Sequence, residues 1–144
     1  MARYSCAVTT PAAATGAAFA TFHSTASDKP RIVEIGFFNN AATASSVQLI
    51  RPANTPVAST SVLGQAEEVA DPAGTCNIDT AWSTAPTIST NVPLRRVVLP
   101  ATAGAGVIWT FPQGLTIPIS GWIVLWNYGG STASALSLYI VWDE

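Results

Sequence analysis

The chain has 144 residues, of which 49% are hydrophobic and only 10% charged, with a net charge of −2 and six cations. That is enough chain for one domain with a full core, and the charged fraction falls well below the ~25% usual in soluble domains. The cations are scattered into no basic stripe, which argues against a nucleic-acid partner, and every apolar run is broken by Pro, Gly, Ser or Thr well short of the ~18 residues of a membrane span.

No stretch combines a 3.6-residue period with helix-capping signals; short strand patterns separated by turn residues recur instead. Arg3–Thr9 alternates Tyr4, Cys6 and Val8 against Arg3, Ser5 and Ala7, the period of a half-buried strand. The residues before it lack the apolar core of a signal peptide, so cytoplasmic synthesis is expected. In that setting Cys6 and Cys76 are expected as two buried free thiols rather than a bridge. A second strand is predicted over 18–24. Arg31–Asn39 is a third, with Val33, Ile35 and Phe37 on one face and Ile32, Glu34, Gly36 and Phe38 on the other. A fourth spans 46–51, with Val47 and Leu49 inward, and Pro52 halts it.

From 52 to 93 the pattern weakens into a long irregular excursion. It holds Glu67, Glu68, Asp71 and Asp79, and a stretch this long inside a compact domain is usually functional or an interaction arm. Residues 61–70 read as a strand or a short helical turn, and 75–82 as a short strand. Regular alternation returns over 93–99. Strands are predicted over 107–111 and 115–119, joined by a Pro112-Gln-Gly114 turn. Residues 117–144 place two apolar runs around Gly129-Gly-Ser-Thr132 and predict a β-hairpin. Trp122, Val124 and Trp126 share one face of its first arm; Leu136, Leu138, Ile140 and Trp142 share one face of its second. Both faces are largely apolar, so a cover is expected on each side, one from the domain and one from another subunit.

The sum is a single all-β domain over 1–144: an antiparallel β-sandwich of about eight strands, most simply a jelly roll. An immunoglobulin-type sandwich fits less well, because no Trp lies between the two cysteines.

The run Leu94-Arg-Arg-Val-Val-Leu-Pro-Ala-Thr-Ala-Gly-Ala-Gly-Val-Ile-Trp-Thr-Phe-Pro resembles small structural proteins of tailed bacteriophages. So do Ile119-Ser-Gly-Trp-Ile-Val-Leu-Trp-Asn, the closing Tyr-Ile-Val-Trp-Asp-Glu and Asn39-Asn-Ala-Ala-Thr-Ala-Ser-Ser-Val-Gln-Leu-Ile-Arg. The resemblance implies a virion component: a capsid decoration (cement) protein first, a tail or baseplate accessory protein otherwise. Its motifs are fold-shaped and bring no catalytic residues. A carbohydrate-binding or adhesin module of a phage particle is the alternative.

Candidate chemistry is sparse. His23 is the single histidine, so any Ser-His-Asp triad must use it, with Asp28, Asp71 or Asp79; no Gly-x-Ser-x-Gly elbow accompanies it. Glu67, Glu68, Asp71, Asn77 and Asp79 are oxygen donors, but their spacing is not that of a calcium loop. Cys6, Cys76 and His23 lack a fourth zinc ligand and a close-spaced Cys pair. Gly104-Ala-Gly106 precedes no helix and so lacks the dipole of a phosphate loop. Trp82, in the irregular excursion, is the best candidate for an exposed anchor. Arg95 and Arg96 are consecutive in a strand, so they diverge, one toward an inward acid and one toward a partner, or both as edge guards. No catalytic group, metal or cofactor is expected. Partner contacts are expected from Arg3, Tyr4, Glu67, Glu68, Asp71, Trp82, Arg95 and Arg96, with the major capsid protein as partner. A homo-oligomer completes the expectation, because low surface charge suits a molecule that lives against neighbours; a trimer is preferred, because a threefold axis can bury the second apolar face of the last hairpin.

Overall fold

A computed structural model describes residues 1–144. The chain is all-β, without a helix: eleven strands form two antiparallel sheets packed as a sandwich. The strands are β1 (Arg3–Thr9), β2 (Ala18–His23), β3 (Arg31–Asn39), β4 (Ser45–Ile50), β5 (Val57–Leu63), β6 (Gln65–Ala66), β7 (Asn77–Thr84), β8 (Arg95–Leu99), β9 (Gly106–Thr116), β10 (Trp122–Asn127) and β11 (Leu136–Asp143). Sheet A runs β6-β1-β11-β3-β9, and sheet B runs β5-β7-β2-β10-β4-β8. The first four strands pair in nested order with the last four: β1 with β11, β2 with β10, β3 with β9 and β4 with β8. This is a long antiparallel ribbon doubled back and rolled, an order compatible with a jelly roll.

The predicted terminal hairpin does not form. β10 lies in sheet B between β2 and β4, and β11 in sheet A between β1 and β3. Residues 128–135 cross from one sheet to the other. The crossing is fixed by Asn127, whose buried side-chain amide donates to the carbonyls of Ala13, Ala14 and Ser131. The alternation within each arm is as the sequence predicts. Ile123 and Leu125 meet Leu136, Leu138, Ile140 and Trp142 in the core between the sheets. Val124 and Trp126 point outward, into a second apolar cluster with Ala18 and Ile50. The cover over that cluster is the chain's own: Trp82, Ile88 and Tyr128 pack on it. The outer side of β11 has no such cover, with Ser137 exposed and Tyr139 and Val141 half-buried.

The excursion over 52–93 is more regular than its composition implies. It inserts between β4 and β8 and supplies β5, β6 and β7, which widen both sheets on the β1/β2 side. No helical turn forms at 65–68; Gln65–Ala66 is a strand against β1. The predicted turn at Pro112-Gln-Gly114 is a wide bulge inside one continuous strand: Thr110 pairs with Glu34 and Leu115 with Ile32. β9 is an edge strand, where a proline and a bulge are tolerated. A matching irregularity at Val33 shifts the expected face of β3, so Ile32 joins Ile35 and Phe37 in the core while Val33 is only half-buried.

Candidate functional site

Two places concentrate polar or unpartnered groups. The first is on the outer face of sheet B, where antiparallel register sets Ser61, Asp79 and Thr21 side by side on β5, β7 and β2. Asp79 is fully buried. Its Oδ2 accepts from Thr21 Oγ1 at 2.9 Å and contacts His23 Nδ1 at 2.7 Å, and its Oδ1 accepts from Ser61 Oγ at 2.5 Å. Trp82 Nε1 donates to Thr21 Oγ1 at 3.0 Å, and the His23 ring stacks on Trp122 at 4.3 Å between centroids. A buried carboxylate is tolerated because each oxygen is hydrogen-bonded, and no buried polar side-chain atom in the protein lacks a partner.

The sequence offered Asp79 as one of three partners for His23, and the structure selects it. The serine stands on the far side of the carboxylate, and His23 Nε2 faces the Asn77 side chain at 3.4 Å. The order is therefore hydroxyl–carboxylate–imidazole, not the hydroxyl–imidazole–carboxylate order of a nucleophilic triad. What the cluster does is fix the outer layer of sheet B, tying β2, β5 and β7 together through one carboxylate.

The candidate calcium donors are not brought together: Asn77 and Asp79 lie on sheet B, whereas Glu67, Glu68 and Asp71 lie in the loop after β6. No group of three or more His, Cys, Asp or Glu side chains converges as a metal site requires. Cys6 and Cys76 are free and buried. Burial pushes both thiols up from their ordinary range, and at Cys76 the adjoining Glu144 carboxylate raises it further.

The residues expected to touch partners fall into three groups. Tyr4 does not belong among them: it is buried, stacked on Trp142, with its hydroxyl donating to the Pro72 carbonyl at 3.0 Å. Its place on the inward face of β1 is the reason. Trp82 is half-buried, not exposed, because its indole N–H is held by Thr21 and its ring packs on the Val124–Trp126 cluster. Arg3 is exposed but engaged in a forked ion pair with Asp143, Nε–Oδ1 2.8 Å and Nη2–Oδ2 3.1 Å, which raises the guanidinium further. Arg95 and Arg96 do diverge, yet neither meets an acid. Arg95 lies over the Phe111 ring at 5.2 Å, and Arg96 over Tyr128 at 4.2 Å with Gln48 Oε1 accepting from its Nε and Nη2. Glu67 and Glu68 are exposed and Asp71 half-exposed.

The second place was not singled out from the sequence. The outer face of sheet A presents Ser5 and Ala7 of β1, Ser137, Tyr139 and Val141 of β11, Gly36 and Phe38 of β3, and Ile108 of β9. Its charges lie at the margins: Arg3 pairs with Asp143, Glu34 Oε1 accepts from Tyr139 Oη at 2.5 Å, and Arg31, opposite Asp143, is exposed without an ion pair. A shallow depression of about 300 Å³ lies between Ala7, Thr9, Phe38, Ser137 and Tyr139. A face whose centre holds aromatic and apolar side chains, with its charges confined to the rim, is the surface type that a protein partner covers. The available signal was the run of small outward residues on β1 opposite Ser137 and Tyr139, which gains meaning only once β1 and β11 are known to pair. Comparison with protein-family models, curated proteins and solved structures gives no match for this chain.

Proposed function

We propose that the protein is a non-enzymatic structural subunit of a tailed-phage particle, a capsid decoration protein that binds across capsomers through the outer face of sheet A. The observation that carries this reading is the state of that face. It is broad, nearly neutral, half-apolar, and left without a cover by the chain that covers the equivalent side of β10. Cohesion of this kind needs area and shape rather than a pocket, and the sequence resemblance points to the same class. Binding that favours the assembled shell stabilises it by mass action. A tail or baseplate accessory role uses the same face on a different particle surface.

The test is co-sedimentation of the protein with purified phage heads stripped of accessory proteins, read together with the heat resistance of the shell. Saturable binding and a raised shell melting temperature are expected, and both are lost in Ala7→Glu and Val141→Lys while the free protein melts as before. Absence of binding to heads, tails and baseplates alike overturns the reading.

The carbohydrate-binding alternative is favoured by one feature, the Trp122–His23 stack beside Asn77 on sheet B. It predicts glycan binding that Trp122→Ala abolishes and that Val141→Lys leaves intact.

A further inference from the structure

The two lateral edges of sheet B are complementary to each other. β5 and β8 are its outermost strands. Every pairing across the sheet is antiparallel, so with six strands β5 and β8 run in opposite directions. A second copy set beside the first in the same orientation therefore brings β8 against β5 in the antiparallel sense of every other pair.

The two edges also differ in the way that partners differ. β5, Val-Ala-Ser-Thr-Ser-Val-Leu, has neither a charge nor a proline, and each of its residues is exposed or half-buried, Val57 at 51%. An edge strand of that composition lacks the lysines and prolines that ordinarily keep edges apart, and its only guard is the register shifts at Val57/Ala58, Ala58/Thr60 and Thr60/Ser61, which a neighbouring strand must follow. Its lower end leans on β1, where Val62 O contacts Cys6 Sγ, which leaves Val57 to Thr60 as the open portion. β8 exposes Val98 at 62% and carries Arg95 and Arg96. No carboxylate in the chain pairs with either arginine; the ion pairs are Arg3–Asp143 and His23–Asp79. Three of the six acids without an ion pair, Glu67, Glu68 and Asp71, follow β6 on the opposite flank. Register places both sets toward the same end of the sandwich: Leu63, leading to the acids, lies in the row of Asn77, His23 and Trp122, and Arg95 is the β8 residue nearest that row.

We propose that the protein self-associates head to tail. β8 of one copy pairs antiparallel with β5 of the next, and Arg95, which shares the inter-sheet side of β8 with Val97, meets the neighbour's Glu67, Glu68 and Asp71, while Arg96 stays on Tyr128 and Gln48 of its own copy. The contact is heterologous, so it closes into a ring or grows as an open chain; the threefold assembly expected from the sequence is one such ring. The proposal does not depend on which particle the protein serves, since it concerns the free chain alone.

The test is sedimentation velocity and native mass of the full chain over a range of concentrations at low and high salt. Discrete multiples of the chain mass are expected, dissociating as salt rises because the cross-contact ion pairs are screened. Thr60→Lys places a charge on the open part of β5 and is expected to weaken association about tenfold or more with an unchanged melting temperature. Arg95→Glu and, separately, Glu67→Arg with Glu68→Arg weaken it likewise, and mixing the two charge-reversed proteins restores it. A monomer at every concentration overturns the proposal. So does an assembly indifferent to Thr60→Lys and to both reversals, or one lost instead in Val141→Lys, which places the contact on sheet A. Failure of head binding in the preceding section leaves these readouts untouched.

Discussion

Nδ1 of His23 lies 2.7 Å from Oδ2 of Asp79, a carboxylate with no exposed surface on the outer side of sheet B. A buried charge is costly unless it is paired and hydrogen-bonded, and here two hydroxyls and an imidazole from two neighbouring strands share that task. Asp79→Ala removes the common acceptor of Thr21, Ser61 and His23 and is expected to cost about 2–4 kcal/mol. His23→Ala leaves the carboxylate buried with two donors and is expected to cost about 1–3 kcal/mol. Urea unfolding checks both: the midpoint falls while the slope stays unchanged. A neutral Asp79→Ala would show that the network is not what joins β5 to β2 and β7.

Much of this layer was legible in the sequence, and the rest was not, for a physical reason. The strand patterns gave β1 to β4 within a residue or two, since each has one face in the core; a period of two assigned the faces of β1 and β4, and in β3 it failed only at Ile32 and Val33, where an irregularity shifts the phase. β10 is apolar on both faces, and periodicity cannot say whether the second cover is another subunit or a distant part of the same chain. Trp82 and Ile88, some forty residues away in sequence, are that cover. The same ambiguity made β10 and β11 read as a hairpin, because pairing depends on which sheet each strand enters, and Asn127 sets the crossing through contacts with Ala13 and Ala14. The Arg95–Phe111 and Arg96–Tyr128 contacts were likewise illegible: they link strands whose adjacency the linear sequence does not encode.

Gly36 and Gly64 both have an aromatic ring where a Cβ would be, at 2.2 Å from Tyr139 Cε1 and from Trp142 Cζ2 respectively. The two rings differ in freedom. Tyr139 is half-buried on the outer face of sheet A and is able to swing into solvent at the cost of its bond to Glu34. Trp142 is fully buried, edge-on to Phe22 at 5.0 Å and stacked on Tyr4, with its indole N–H donating to Glu144 at 2.9 Å. Gly64→Ala is therefore expected to cost about 2–3 kcal/mol by overpacking, and Gly36→Ala about 1 kcal/mol. Thermal unfolding ranks them; the reverse order would mean that the corner from β5 to β6 yields more easily than an outward ring.

The Tyr139 phenol is pushed up to about 12, first by its hydrogen bond to the Glu34 carboxylate and then by burial. The folded state thus holds that proton more tightly than the unfolded chain, whose tyrosines titrate near about 10. The stabilisation is fully present below the unfolded value and is lost as pH rises from about 10 through about 12. An absorbance titration of the native protein should show Tyr139 ionising late. Glu34→Gln should bring it down and flatten the fall in stability over that window. Burial also raises the Tyr4 phenol, so the comparison is made in a Tyr4→Phe background; a late phenol that persists there in Glu34→Gln would assign the Tyr139 shift to burial alone.

Glu144 closes the domain from the far end of the chain. Its Oε1 accepts from Thr75 N at 2.6 Å, and its Oε2 from Cys76 N at 3.3 Å and Trp142 Nε1 at 2.9 Å, so one carboxylate pins the return of the 67–76 loop against the core. Charge-assisted bonds to backbone N–H groups are about twice as strong as neutral ones, so Glu144→Ala is expected to cost about 1–3 kcal/mol. The same change has a chemical readout at Cys76, whose thiol is raised by burial and by this carboxylate. In the native protein neither cysteine should react with a thiol reagent at neutral pH faster than the protein unfolds, because the thiolate is the reactive form and both sulfurs are buried. In Glu144→Ala the loop loosens and Cys76 alone should react by local opening, while Cys6, beneath β5, stays protected. Mass analysis of the labelled peptides separates the two sites. Equal labelling of both would mean that the carboxylate supports the whole fold, not this loop.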